Sequence, residues 1–243
     1  MRHSRSGSIL SMWRRVAGMW LLIATVAIGT PGLSAQDGSP RIFISVDLEG
    51  IGGVGSPLMT SSNGKDYGTA RQLLTDEVNA VVEAIYAHSP SAAILVNDSH
   101  GDHQNALHTQ FDPRVVYIQG AIKPLGMVQG LDASFDGAVF IGYHAKAGDP
   151  DGFLAHTGSG SVKGLWLNGV EVGEGGMNAA FAGSQGVPII FVAGDSAATA
   201  ELSALLGSET VTTKTAESPS SARLIHPELV VEMLRDGVGR ALD

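Results

Sequence analysis

Three short apolar runs in this chain lead into residues of the kind that bind metal ions. Arg41-Ile-Phe-Ile-Ser-Val46 is followed by Asp47 and Glu49, residues 92–97 by His100, and residues 137–142 by His144. Apolar runs of this length, bounded by turn signals, read as buried strands of a parallel sheet. In open α/β sheets, ligands bind beyond the carboxyl ends of the strands. Three strands that carry carboxylates and two imidazoles to one sheet edge have what a metal-dependent hydrolase needs. His156 and Glu174, two further residues of that type, sit in Gly-rich stretches downstream.

The rest of the pattern predicts an α/β fold, with a mostly parallel central sheet flanked by helices and an inserted β-hairpin. A helix is expected over 67–87, where Ala70, Leu73, Leu74, Val78, Val81, Val82 and Ile85 form one apolar stripe. Asp66 is placed to cap it. Strands are expected at 92–97, 115–119, 138–142 and 188–193. Residues 162–172 read as a hairpin turning at Asn168-Gly169, a type I′ pair. Short helices are expected at 175–184, 197–206 and 227–241. The turn-rich Gly148-Asp-Pro-Asp-Gly152 suits a flap over the site.

The first 35 of the 243 residues read as a secretory signal peptide. Arg14-Arg15 is a basic n-region, 16–28 is apolar, and Pro31-Gly-Leu-Ser-Ala35 supplies a break and a small cleavage residue. The apolar core is shorter than the ~20 residues of a spanning helix, so no stable membrane anchor is expected. The remaining 36–243 is read as one α/β domain of a secreted or periplasmic protein. Cleavage removes four arginines and no acid, taking the net charge from −9 to −9 − 4 = −13. So acidic a chain argues against a nucleic-acid partner. With no Cys, any transition-metal site must be built from His, Asp and Glu.

Asp47 and Glu49 are two apart, so an extended chain aims both the same way. Carboxylates with neutral imidazoles suit Zn²⁺, with Mn²⁺ or Co²⁺ as substitutes. Each residue alone has an ordinary reading. Asp-x-Glu-Gly often caps a strand, and a His after a strand is often a hydrogen-bonded structural residue. Glu174 suits the start of a helix, and His156 suits a surface loop. Asp98 either orients His100 or caps the following turn. His103 and Lys123 read as solvated loop residues. His88 and His226 suit the ends of helices.

Taken in order, the segments Ser45-Val-Asp47-Leu-Glu49-Gly50-Ile51, Leu74-Thr-Asp-Glu-Val-Asn79, Leu95-Val-Asn-Asp-Ser-His100, Gly120-Ala-Ile-Lys123-Pro124, Met127-Val-Gln-Gly-Leu131, Gly142-Tyr-His144-Ala145 and Val172-Gly-Glu174-x-Gly-x-Asn178 resemble the D-aminopeptidase family of zinc peptidases. The resemblance implies two Zn²⁺ per subunit held by Asp47, Glu49, His100, His144 and Glu174, with Asp47 bridging. It implies that His156 is the catalytic acid/base or a stabiliser of the transition state, and not a ligand. It further implies removal of N-terminal D-residues such as D-alanine from short peptides, and homo-oligomeric rings, decamers among them. Three departures lie outside the ligand set: the chain ends at Asp243, it has no Arg across 214–221, and it carries the secretory signal. They bear on assembly and on C-terminal substrate contacts. The rival readings are a two-metal phosphate-ester hydrolase and a non-catalytic periplasmic peptide- or metal-binding protein.

Overall fold

The computed structural model describes residues 38–243, so the expected signal peptide at 1–35 lies outside the described residues. The elements run β1 (Arg41–Val46), α1 (Tyr67–His88), β2 (Ala93–Asp98), β3 (Val116–Ile118), β4 (Gly137–Tyr143), β5 (Trp166–Leu167), β6 (Val170–Glu171), α2 (Glu174–Ser184), β7 (Ile189–Asp195), α3 (Ser196–Leu206), β8 (Glu209–Ser218), β9 (Ser221–Leu224) and α4 (Pro227–Leu242). Seven strands form one sheet in the order β3-β2-β1-β4-β7-β8-β9. Every pairing is parallel except β8 with β9. β5 and β6 form a separate antiparallel pair. Asn168 and Gly169 between them both have positive φ, 51° and 84°, as a type I′ turn requires.

β1, β2 and β4 are buried on both faces, which is why they read as continuous apolar runs. Their side chains alternate between two cores. Ile42, Ile44, Val46, Val139 and Ile141 pack with α1 and α4. Phe43, Phe140 and Val192 pack with Ala179 and Ala182 of α2 and Leu202 of α3. Helices therefore cover both faces of the sheet. Burying each Leu, Ile or Phe contributes about 1.5–3 kcal/mol.

α1 buries Ala70, Leu74, Val78, Val81 and Ile85 along one stripe, and Pro90 follows its last turn. Asp66 stands just before it but makes no side-chain cap; with φ at 64° it serves as a left-handed hinge into the helix. The hairpin of β8 and β9 went unforeseen, because its Thr-, Lys- and Ser-rich sequence carries no apolar run.

Candidate metal centre

Chain order reverses between β1 and β4. From β1 the sheet grows outward through β2 and β3 on one side, and β4, β7 and β8 lie on the other. Such a switch point opens a crevice at the carboxyl ends of the strands. Here the two strand ends almost touch. Gly50 N donates to Gly142 O at 2.7 Å, and Asp47 N donates to Ile141 O at 2.8 Å. A Cβ on Gly142, whose φ is +72°, would lie 2.2 Å from Asp47 O, and one on Gly50 would lie 2.1 Å from Tyr143 O. Only glycine permits this approach. Leu48 and Ile51, both fully buried, pin the chain that carries Asp47 and Glu49.

All six residues singled out in the sequence meet in this crevice. His100 Nδ1 lies 2.9 Å from Glu49 Oε2 and 3.3 Å from Asp47 Oδ1. His144 Nε2 lies 3.4 Å from both Asp47 Oδ2 and Glu174 Oε2. His156 Nε2 lies 3.7 Å from Glu174 Oε1. The two oxygens of Asp47 thus face different imidazoles. Donor atoms of Asp47, Glu49 and His144 fall within 4.8 Å of one another, as do those of His144, His156 and Glu174. Backbone carbonyls orient the rings: His100 Nε2 bonds Thr60 O at 2.7 Å, His144 Nδ1 bonds Ala145 O at 3.0 Å, and His156 Nδ1 bonds Leu154 O at 2.8 Å. In each ring the other nitrogen then faces the carboxylates, an arrangement typical of metal-binding histidines.

The cluster is electrostatically incomplete. Burial first, and the charge of Glu49 second, push the Asp47 carboxyl up to about 7. Burial opposes charge on His100 and His144, yet the surrounding carboxylates outweigh it. Glu49 and Asp47 push His100 up to about 12, and Glu174, Asp47 and Glu49 push His144 up to about 10. Asp47 Oδ2 and His144 Nε2 are both buried with no hydrogen-bond partner. Orphaned groups of this kind are costly. A divalent cation between them would satisfy both, and the all-His/Asp/Glu donor set suits zinc.

Above the cluster opens a cavity of about 570 Å³. Leu125, Met127, Val128, Met177 and Phe181 give it an apolar wall, and no Lys or Arg appears among its described lining residues. Met127 O is held by Ser45 Oγ, Asn97 Nδ2 and Ser99 Oγ at 2.9, 2.8 and 3.2 Å, which fixes the wall to the strand ends.

Several sequence expectations need correction. His103 is not a solvated bystander; it lines the cavity. Lys123 is drawn in as well, its Nζ donating to Asn97 Oδ1 at 2.7 Å and to Asp98 O. Asp98 caps the turn rather than touching the His100 ring: it accepts from Asn105 N, Ala106 N and Tyr117 Oη, and Asn105 Nδ2 reaches His100 O. Residues 148–152 do not line the cavity, so the expected flap is absent from its described walls. Three buried charges passed unnoticed, Glu77, Asp195 and Lys214. Glu77 left a legible trace, since it falls on the apolar stripe of α1 beside Leu74 and Val78.

A carboxylate–imidazole cluster at the switch point of a doubly covered parallel sheet defines an α/β metallohydrolase. Comparison narrows the class. Residues 41–243 match the family model described as D-aminopeptidase, and the chain belongs to that family. It is 34% identical over 203 residues to the D-aminopeptidase of Bacillus subtilis strain 168, covering 83% of this chain and 73% of that one. The solved structure of the Zn-dependent D-aminopeptidase DppA from Bacillus subtilis, described as a self-compartmentalizing protease, superposes with a TM-score of 0.80 at 34% identity and the same coverage.

Proposed function

We propose that this protein is a zinc-dependent aminopeptidase that removes N-terminal D-residues, of the D-alanine type, from short peptides. The observation that carries the reading is the facing pair of orphaned atoms, Asp47 Oδ2 and His144 Nε2, in a family of D-aminopeptidases. Asp47, Glu49, His100, His144 and Glu174 would hold two zinc ions, the two oxygens of Asp47 lying near different imidazoles. Bound zinc supplies Lewis-acid polarisation of the peptide carbonyl and lowers the pKa of water toward neutrality.

The chain's own residues do the rest. His156 spends Nδ1 on Leu154 O, which leaves Nε2 at the cavity side to take up a proton and deliver it to the leaving amine. The apolar wall suits a small side chain, and Asp47, Glu49 and Glu174 are buried at the edge of the cavity. The absence of Lys and Arg from the described lining disfavours a phosphate ester, which needs a cationic clamp.

The protein is read as a homo-oligomer that encloses its sites, with a ring of ten as the expected form, and as secreted or periplasmic. Exposed Ile122 and Trp166 offer apolar surface for assembly. The test is metal content by plasma mass spectrometry, followed by turnover of D-alanyl and L-alanyl peptides. Zinc uptake with D-selective release is expected. Tight peptide binding by zinc-loaded protein without turnover would favour the binding-protein reading. Light scattering and cell fractionation address assembly and location.

A further inference from the structure

β8 supplies no donor to the cluster, yet it grips the chain that does. Thr213 Oγ1 donates to Gly50 O at 2.5 Å and to Gly194 O at 3.0 Å. Lys214 Nζ donates to the carbonyl of Glu49 and, at 2.6 Å, to that of Val54. Its ammonium lies 5.0 Å from the centre of the Phe153 ring, and the residue is 1% exposed. From the other side, α1 sends Glu77, 2% exposed, whose Oε1 accepts from Gly52 N at 2.5 Å. Its second oxygen has no partner.

These are expensive residues to keep in a core. Burial pushes the Glu77 carboxyl up and the Lys214 ammonium down, as expected of charges held out of water. Buried ionic groups are often replaceable by apolar residues of similar volume with no loss of stability. What an apolar residue would not do is bond the backbone of the turn 49–54. That turn begins at Glu49 and runs through three glycines; buried Ile51 and Val54 anchor it, and the carbonyls of Glu49 and Val54 and the amide of Gly52 are bonded by Lys214 and Glu77.

We propose that Lys214 and Glu77 are positioning residues, a two-sided clamp on the backbone of 49–54 that holds Glu49 in place for zinc. The inference rests on the zinc reading above. The clamp acts through the backbone carbonyl of Glu49 and the amide of Gly52, so it governs metal affinity rather than contact with substrate.

The test is zinc affinity by competition with a chromogenic chelator, for the wild-type protein and for Lys214→Met, Glu77→Met and Glu77→Gln. The metal-free melting temperature, kcat and KM are measured alongside. Lys214→Met and Glu77→Met should bind zinc about 10–100-fold more weakly, the usual effect of losing a partner that orients a ligand. Their kcat should fall with little change in KM, and their metal-free melting temperature should fall as well, because each leaves buried backbone groups of the turn unpaired. Glu77→Gln keeps an oxygen for Gly52 N and should stay close to wild type. If Lys214→Met fails to fold, the Glu77 pair decides alone. Wild-type affinity in both Met variants, or equal loss in Glu77→Gln and Glu77→Met, overturns the clamp and leaves the zinc reading standing. A wild-type protein that takes up no zinc overturns both.

Discussion

The rings of His144 and His156 lie face to face, their centroids 4.1 Å apart and their planes 9° from parallel. Each ring spends Nδ1 on a backbone carbonyl and turns Nε2 toward Glu174. Their surroundings differ. The His144 side chain is 1% exposed and sits between two carboxylates, whereas that of His156 is 29% exposed at the cavity wall. On the reading proposed above, the buried ring holds metal and the accessible one exchanges protons with a substrate.

His156→Ala is therefore expected to retain zinc and to lose roughly 10²–10⁴-fold in turnover, the usual worth of a general acid/base. Metal content and peptide hydrolysis, measured on one preparation, check this. Zinc lost along with activity would place His156 among the donors instead.

Asp47→Asn should lose most of the bound zinc. Without metal, it should melt at or above the wild-type temperature, because burial and the neighbouring Glu49 already disfavour the charged carboxylate. Differential scanning calorimetry in the presence of a chelator checks the second half. A metal-free variant clearly less stable than wild type would contradict it.

Gly142→Ala puts a Cβ 2.2 Å from Asp47 O at a φ of +72°. It should cost roughly 2–4 kcal/mol and remove zinc binding together with stability. Gly160, where an added Cβ meets nothing within 4 Å, provides the control. Urea unfolding of Gly160→Ala should match wild type within about 0.5 kcal/mol.

Lys123 carries the pH prediction. Burial pushes its ammonium down from 10.5 to about 8, only partly offset by the charge of Asp98. The folded protein therefore releases this proton near pH 8, while the unfolded chain holds it until about 10.5. Between those values the unfolded state binds more protons, so the contribution of this group to stability rises with pH and is lost as pH falls through 8. Lys123→Met should flatten that rise. Denaturant midpoints across pH 7–11 for both proteins check it, and parallel curves would refute it.

Much of this was readable in advance, for a physical reason. Strands buried on both faces must be apolar throughout, so β1, β2 and β4 announced themselves, and the residues just past them fell at the sheet edge. The hairpin was legible through Asn168-Gly169, although its ladder holds only two residues on each strand. β8 was not legible. Its buried Thr213 and Lys214 are polar groups satisfied by carbonyls far away in sequence, at Gly50, Glu49, Val54 and Gly194. The places of His103 and Lys123 likewise depend on a loop folding back over the strand ends. Periodicity records which face an element buries. It carries no record of a side chain reaching another segment's backbone.

The glycine seam between β1 and β4 also bears on the order of events as the chain folds. Asp47 and His144 lie just past strands separated in sequence by α1, β2 and β3, and they meet only once β4 has added to β1. Contacts of such high sequence separation form against a large loop-closure entropy. A partly folded chain therefore holds the donors apart and competes poorly for zinc. Metal capture is expected to select chains whose sheet has closed, and to draw the folding equilibrium forward by mass action.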